Sequence, residues 1–166
     1  MMNIIQERRS IRTFEKNPID DAIIHELLKS AMQAPSARNQ QPWAFIVIKN
    51  RNILDQLSKV SNGARHLKNA PLAILTLMKE TEHAPHMRPQ DMAAATQNIL
   101  LEAHQQGLGA VWIGVYPLEE RIQNVKNIVT ISSDETPFSL IALGYPLNRV
   151  ETPSLRFDST RVTVIE

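Results

Sequence analysis

The sequence contains no cysteine among its 166 residues. This absence excludes disulfide bonds, a thiolate nucleophile, zinc sites built on thiolates and cysteine-held iron–sulfur clusters. Any chemistry that the protein performs must come from other side chains, from the backbone or from a bound group.

The sequence also has little net charge and few aromatic residues. The 18 basic and 17 acidic residues leave a formal net charge of +1, and 5% of the residues are aromatic. A nucleic-acid binder needs a larger positive excess and exposed aromatic rings, so we expect no nucleic-acid partner. No apolar run reaches transmembrane length and the N-terminus lacks a secretion signal, so we expect no membrane partner and a cytoplasmic location.

What is present suits one globular domain, residues 1–166, because 43% of the chain is hydrophobic. Helical spacing of apolar residues predicts helices over 2–8, 20–32, 51–60, 89–106 and 118–127. Apolar, β-branched runs predict strands over 43–48, 72–77, 110–115 and 138–143. This alternation predicts a three-layer α/β or α+β arrangement with four or five strands, followed by an irregular tail.

A basic cluster near the N-terminus is the first candidate site. Arg8, Arg9 and Arg12 place three guanidiniums beside Ser10 within five residues. Like charges this close repel one another unless water or an anion separates them, and the guanidinium fork matches phosphate. Taken alone, the cluster is more typical of a solvated helix end.

Three other segments offer polar or backbone groups. They are the proline-flanked polar loop at 34–43, the pair Asn62 and Arg65, and the strand end at 112–116. Each alone has an ordinary structural interpretation. Together with the basic cluster they supply what a flavin mononucleotide needs: cations for phosphate, hydroxyls and amides for the ribityl chain, and backbone donors for the ring.

Other chemistries have little support. Gly107 and Gly109 lack the third glycine of a dinucleotide fingerprint and precede a strand instead of following one. His83 and His86 form an H-x-x-H pair, which is weak evidence for metal without further ligands, so we expect no metal. No histidine stands beside a serine in a strained turn, which leaves hydrolase chemistry unsupported.

The chain resembles the nitroreductase family of FMN-dependent oxidoreductases in its short single-domain form. The resemblance rests on the segments RRSIRTF (8–14), APSARNQQPW (34–43), QDMAAATQNILLEAHQQGLGAVWIGVYP (90–117), LIALGYP (140–146) and RFDSTRV (156–162). It implies an α+β, three-layer nitroreductase-like fold with a mixed, mainly antiparallel sheet. It also implies a homodimer with FMN at the subunit interface and a tail, about 147–166, that extends to the partner subunit.

The resemblance further implies which residues bind FMN. Arg8, Ser10 and Arg156 match the phosphate end, Arg12 matches a position nearer the pyrimidine ring, and Arg9 adjoins them. Further positions match a loop supplied by the other subunit, the pyrimidine edge and the segment whose backbone N–H meets flavin N5. The loop positions are Pro35, Ser36, Ala37, Asn39 and Gln41. The positions at the pyrimidine edge are Asn62 and Arg65, and the segment that meets N5 contains Gly114 and Val115.

The implied activity is a two-step transfer. NAD(P)H gives a hydride to flavin N5 and leaves, and a nitroaromatic, quinone or related acceptor then takes two electrons. The flavin carries the chemistry, so no catalytic side chain is named. The family's substrate lid falls near 79–90, and this chain has a short one, which fits either a broad or a narrow acceptor range.

Two alternatives have different signatures. A flavin-binding protein for storage or sensing would use the same binding residues without turnover, and would stay oxidised when mixed with nicotinamides. A basic-patch nucleic-acid binder would use Arg8, Arg9 and Arg12, and would show salt-dependent binding to oligonucleotides.

Overall fold

A four-stranded sheet organises the protein. The computed structural model describes residues 3–148, 151, 154 and 156–166. The strands are β1 (Trp43–Ile48), β2 (Leu72–Lys79), β3 (Gly109–Gly114) and β4 (Glu135–Gly144), in the order β1-β2-β4-β3. All three neighbouring pairs are antiparallel, whereas Ser10 makes an isolated parallel bridge to Ala110.

Both faces of the sheet are covered, because the two central strands alternate apolar side chains between two separate cores. Leu75 and Leu140 point into one core, whereas Ile74 and Ile141 point into the other. A strand buried on both faces reads as a continuous apolar run, as β2 does. The predicted α+β, three-layer arrangement is confirmed.

Within the described residues, five α-helices and a long 3-10 segment form the outer layers. The helices are α1 (Ile4–Glu7), α2 (Asp21–Met32), α3 (Arg51–Leu57), α4 (Arg88–Gln105) and α5 (Glu119–Lys126). The first core contains side chains of α3, α5 and the 3-10 segment Asn62–Lys68, whereas the second contains side chains of α2 and α4.

The longest helix, α4, is enclosed on nearly all sides, as predicted. Every residue from 91 to 104 is buried or half-buried. The helix stops where the sequence indicates: Gly107 has φ 75°, and the Leu108 N–H donates to the Ala103 carbonyl at 2.7 Å. This is the glycine-terminated Schellman stop, which satisfies the last carbonyls of the helix.

Several predicted boundaries were wrong. The N-terminal helix begins at Ile4, while Met1 and Met2 lie outside the described residues, as does part of the predicted tail. Helix α3 ends at Leu57 instead of residue 60. The segment 62–68 is helical although it reads as a helix terminus, because Ala64 and Leu67 are buried in the first core.

None of the helices within the described ranges is both long and apolar enough to cross a membrane.

Candidate cofactor site

The N-terminal basic segment lies along the free edge of β3. The Ile11 N–H donates to the Ala110 carbonyl at 3.0 Å, and Ser10 bridges the same residue. A Cβ on Gly109 would stand 2.6 Å from Ile11 Cγ2. The segment reaches this position because residue 109 has no side chain.

The C-terminal tail returns to the same edge. The Leu147 N–H donates to the Thr13 carbonyl at 3.1 Å, and Arg9 Nη1 donates to the Glu151 carbonyl at 3.0 Å. A cavity of about 340 Å³ opens between the two segments. Its lining residues are Arg9, Ser10, Ile11, Arg12, Thr13, Asn148 and Glu151.

Arginines from opposite ends of the chain approach each other here. Burial lowers the pKa of the half-buried Arg8 guanidinium below its ordinary value, and the charge of Arg156 lowers it further. Partial burial and a nearby like charge both disfavour the charged form of the Arg8 guanidinium. An anion bound between the two guanidiniums would remove this repulsion.

The arginines of the cluster have no acidic partner in the part of the chain that the structure describes. Carboxylates lie within 4 Å of Arg51 and Arg161, but of none of Arg8, Arg12 and Arg156. Surface arginines commonly lie beside a carboxylate when one is near. Unpaired cations gathered at one edge are typical of a site for an external anion.

A second group of basic residues, Arg65 and His66, lies near Arg12 of the N-terminal segment. Burial lowers the pKa of His66, and the charges of Arg65 and Arg12 lower it further, while a hydrogen bond with the Arg12 backbone opposes the shift. His66 therefore lies near both of the arginines that the family resemblance assigns to the pyrimidine ring. Sequence reasoning missed this histidine because it lies in the unpredicted 3-10 segment.

A second cavity, of about 450 Å³, lies beside the two predicted pyrimidine residues. Asn62 and Arg65 both line it, together with Arg121. Arg121 Nη1 in turn donates to the Gly114 carbonyl at 2.9 Å. Neither Arg121 nor its contact with the strand end was predicted.

The end of β3 presents a backbone donor away from the sheet. Gly114 is opposite Ser139, and the Val115 N–H donates to the Phe138 carbonyl at 3.2 Å. In an antiparallel ladder this bond makes Gly114 and Ser139 a non-hydrogen-bonded pair, so the Gly114 N–H and carbonyl point away from β4. The Val115 N–H is engaged within the sheet.

Open space lies beside the same strand end. A Cβ on Gly114 would have no heavy atom within 4 Å, and the residue is exposed. A flat ring could therefore lie against the backbone here while accepting a hydrogen bond from an N–H.

The polar loop at 34–43 is strained. Arg38, Asn39 and Gln41 have φ of 52°, 53° and 48°, the only positive values among the described non-glycine residues. Such conformations cost ~1–3 kcal/mol each and persist where surrounding contacts over-determine them. Ser36 Oγ provides one such contact by accepting from the Gln41 N–H at 3.0 Å.

A buried carboxylate provides the other contacts to the loop. Asp91 is 5% exposed, and its Oδ1 accepts from the Ala37 N–H at 2.9 Å. Its Oδ2 accepts from Gln40 Nε2 at 2.6 Å. Sequence reasoning missed Asp91, although one signal was available: it stands four residues before Ala95 and eight before Ile99, on the apolar stripe of α4.

The structure brings together some predicted residues and not others within one chain. Residues of the basic cluster line the first cavity, and Asn62 and Arg65 line the second. His66 lies near both Arg12 and Arg65, and Arg121 connects the second cavity to Gly114. No described residue of the loop Pro35–Gln41 lines either cavity. Pro35, Asn39 and Gln41 are instead exposed, and Ser36 and Ala37 are half-buried.

Two other features fall outside this arrangement. A cavity of about 600 Å³ between Lys16, Arg51 and Pro71 contains none of the predicted residues. In the described ranges, no three His, Asp or Glu side chains are grouped closely enough to hold a metal ion.

Comparison with known proteins identifies the family. The model of the nitroreductase family matches residues 5–65 and 62–145. A protein of Methanothermobacter thermautotrophicus, provisionally named NADH dehydrogenase/NAD(P)H nitroreductase, is 40% identical over 98% of this chain and 85% of its own length. The chain belongs to the nitroreductase family, as the sequence motifs indicated.

Solved structures agree on the fold. A protein of Clostridium acetobutylicum, provisionally described as an NADH oxidase, is 47% identical and superposes with a TM-score of 0.95 over 99% of each chain. An FMN-dependent nitroreductase of Clostridium difficile is 26% identical, with a TM-score of 0.91 over 100% of this chain and 99% of its own. The predicted class of enzyme, an oxidoreductase, is confirmed by these relatives.

Proposed function

We propose that the protein is an FMN-dependent oxidoreductase that uses NAD(P)H to reduce nitroaromatics, quinones or related acceptors. The observation that carries the proposal is the approach of Arg8 and Arg156, from opposite ends of the chain, without a carboxylate partner among the described residues. These guanidiniums would hold the phosphate of FMN, with the Ser10 hydroxyl beside them. Arg9, which donates to the Glu151 carbonyl, would keep the tail in place for this contact.

The pyrimidine end of the flavin would meet the second group of basic residues. Arg12 and Arg65 are both close enough to His66 to lower its pKa, and Asn62 lines the same cavity as Arg65. Reduced flavin tends to carry negative charge near N1 and the C2 carbonyl. Arg12 and Arg65 are exposed in the single chain, and once covered by the flavin and a second subunit they would stabilise that charge more strongly than cations in water.

The backbone at the end of β3 would orient the ring. Among the two residues predicted for contact with N5, the ladder favours Gly114, because the Val115 N–H already donates to Phe138. The empty space beside Gly114 supports a ring lying against this strand. Arg121 would hold the strand end through the Gly114 carbonyl.

A second copy of the chain would complete the site. The loop residues Pro35, Ser36, Ala37, Asn39 and Gln41 would contact the flavin of the partner subunit, which fits their absence from both cavities of their own chain. The tail supports a homodimer as well, since Phe157 is 82% exposed and Ile165 is 93% exposed. We expect both side chains to be covered by the partner in a cytoplasmic homodimer.

Bound FMN would supply the two-electron chemistry, accepting a hydride from NAD(P)H at N5 and passing two electrons to the acceptor in a ping-pong sequence. The side chains described here would bind and orient the flavin, and no protein acid or base is required.

The test is an absorption spectrum of the purified protein followed by anaerobic titration with NADH and with NADPH. We expect a yellow protein, or one that takes up added FMN, and loss of the flavin absorbance with at least one nicotinamide. A colourless protein that takes up no FMN would refute the proposal. A yellow protein that stays oxidised with both nicotinamides would instead support a flavin-binding role without turnover.

A further inference from the structure

The cavity of about 600 Å³ lies at the end of the sheet where β1 finishes and β2 begins. Its lining includes Lys49, the residue after β1, and Leu72, the first residue of β2. It shares no lining residue with the two cavities assigned to the flavin, and it is larger than either of them. Its volume is within the range of small-molecule sites, about 300–1,000 Å³.

The floor of this cavity is apolar and belongs to both cores. Leu54 and Ala70 come from the first core, whereas Ile19 and Leu72 come from the second, and all four side chains are buried. Pro18, which is exposed, adds an accessible apolar ring at the side. A ligand with an apolar body would therefore remove its own hydrocarbon surface from water by entering, which favours binding.

Two walls of the cavity are held in place by contacts within the protein. Arg51 Nη1 donates to the Ala70 carbonyl at 2.8 Å, and its Nη2 donates to the Leu67 carbonyl at 2.6 Å. Pro71 packs so closely on β4 that its Cδ would stand 2.8 Å from a Cβ on Gly144. Walls that are fixed before a ligand arrives lose little conformational freedom on binding.

The exposed side of the cavity carries an excess of positive charge. The lining contains four basic residues and one acidic residue, which are Lys16, Lys49, Arg51, Lys68 and Asp55. Arg51 pairs with Asp55 at 3.0 Å, and Lys49 pairs with Asp21 outside the cavity. Lys16 and Lys68 are exposed, and no carboxylate of the described residues lies within 4 Å of either.

This charge distribution selects the kind of ligand. Two ammonium groups beside an apolar floor are complementary to an anionic group on an apolar body. The Arg51 fork is already engaged by Asp55 and two backbone carbonyls, so it does not offer the bidentate contact that suits a phosphate. Lys16 and Lys68 remain as two point charges, which favours a carboxylate.

We propose that this cavity is a second ligand site, separate from the flavin site, and that it binds a small organic carboxylate with a body of one or two apolar rings. Lys16 and Lys68 bind the carboxylate, and the rings lie against the apolar floor. The inference does not depend on the proposed function, because none of the residues assigned to FMN lines this cavity.

Calorimetric titration of the full chain tests the site with three compounds. They are 2-naphthoate, the neutral 2-naphthalenemethanol, which has the same rings, and acetate, which has the charge without the rings. The parent should bind naphthoate with a Kd below about 1 mM, and at least about tenfold more tightly than either of the others. Absence of naphthoate binding, or equal binding of the neutral alcohol, would overturn the inference.

The two free lysines should account for this preference. Lys16→Gln and Lys68→Gln should each raise the Kd for naphthoate at least about fivefold, because each removes a charged contact with the carboxylate. Lys29→Gln is the matched control, since Lys29 is an exposed lysine of α2 that lines none of these cavities. The same Kd in all three variants as in the parent would overturn the inference.

Filling the cavity is an independent test. Asn69 is exposed and lines the cavity, so Asn69→Trp can place an indole ring in it without disturbing either core. This variant should lose naphthoate binding, whereas Asn52→Trp, at an exposed position of α3 outside the lining, should retain it. Full binding by Asn69→Trp would overturn the inference.

Amide resonances distinguish this site from the flavin site. Naphthoate should shift the amide signals of Asn69, Ala70 and Leu72, and its Kd should change less than about twofold when FMN is added. Shifts confined to Gly114 would place the compound beside the proposed flavin ring and overturn the second site. If the parent takes up no FMN, the proposed function fails, while the shifts at Asn69, Ala70 and Leu72 still decide this inference.

Discussion

Ile11 packs so closely on Gly109 that its Cγ2 lies 2.6 Å from where a Cβ would stand. Its own Cβ lies 2.7 Å from the same point, so a rotation of the side chain cannot relieve the clash. The basic segment and the start of β3 are therefore compatible only with glycine at position 109.

The two glycines at the ends of β3 should respond differently to alanine. Gly109→Ala should destabilise the protein by ~1–3 kcal/mol, the usual cost of overpacking. Gly114→Ala meets no atom within 4 Å, so its stability should stay within about 0.5 kcal/mol of the parent. It should nevertheless weaken FMN binding, because the added methyl group occupies the space assigned to the ring. Urea unfolding and flavin titration of both variants measure these effects, and tight FMN binding by Gly114→Ala would contradict the placement of the ring.

The two arginines proposed to bind the phosphate should matter more for FMN binding than for stability. Arg8→Ala and Arg156→Ala should each raise the Kd for FMN about 10- to 100-fold, since a hydrogen bond to a charged group is worth ~1.5–3 kcal/mol. Without FMN, Arg8→Ala should not be less stable than the parent, because it removes a partly desolvated charge and, to a lesser extent, its repulsion from Arg156.

Arg161→Ala is the control for this pair, because Arg161 lies in the same tail but is bound to Asp158. It should leave the Kd unchanged. Equal Kd values for all three variants would show that the phosphate lies elsewhere.

The stability of the FMN-free protein should depend on pH through His66. Its pKa in the folded protein lies below its ordinary value of about 6.5. Between these two values the unfolded chain binds more protons than the folded one, so stability falls as pH decreases from about 6.5 and levels off below the folded pKa.

The His66→Gln variant should lose this dependence, and His25→Gln, which changes an exposed histidine, should keep it. The measurement is the free energy of unfolding in urea between pH 5 and 8. A His66→Gln variant with the same pH profile as the parent would contradict the assignment.

The sequence predicted the sheet and the site motifs because those signals are local. Apolar runs such as 72–77, which lies within β2, identify central strands, and Gly107 followed by Leu108 marks the end of α4. The cluster from Arg8 to Arg12 is likewise visible as a short motif. Each of these features depends on neighbours within a few residues in the chain.

The missed residues act through contacts that are distant in sequence. Asp91 is separated from Ala37 by 54 residues, and a single acidic residue in the first turn of a helix is more often a solvated charge. His66 approaches Arg12 only because Leu67 is buried beneath the 3-10 segment. The contacts of the Gln40 side chain with Thr81, Ala84 and Asp91 depend on a loop with three positive φ values. Residue type favours that conformation at Asn39 but not at Arg38 or Gln41.

The exposed tail has a consequence for how this protein should be handled. Phe157, Val164 and Ile165 present 82%, 76% and 93% of their surfaces to solvent. The tail is nevertheless near the N-terminal segment, because Arg9 donates to the Glu151 carbonyl and the charge of Arg156 lowers the pKa of Arg8. If a second copy covers the exposed side chains, mass action makes flavin occupancy a function of protein concentration. We therefore expect serial dilution alone to release the chromophore in parallel with the shift to smaller particles in sedimentation. A chromophore that stays bound after the particles have halved in mass would show that each subunit retains it unaided.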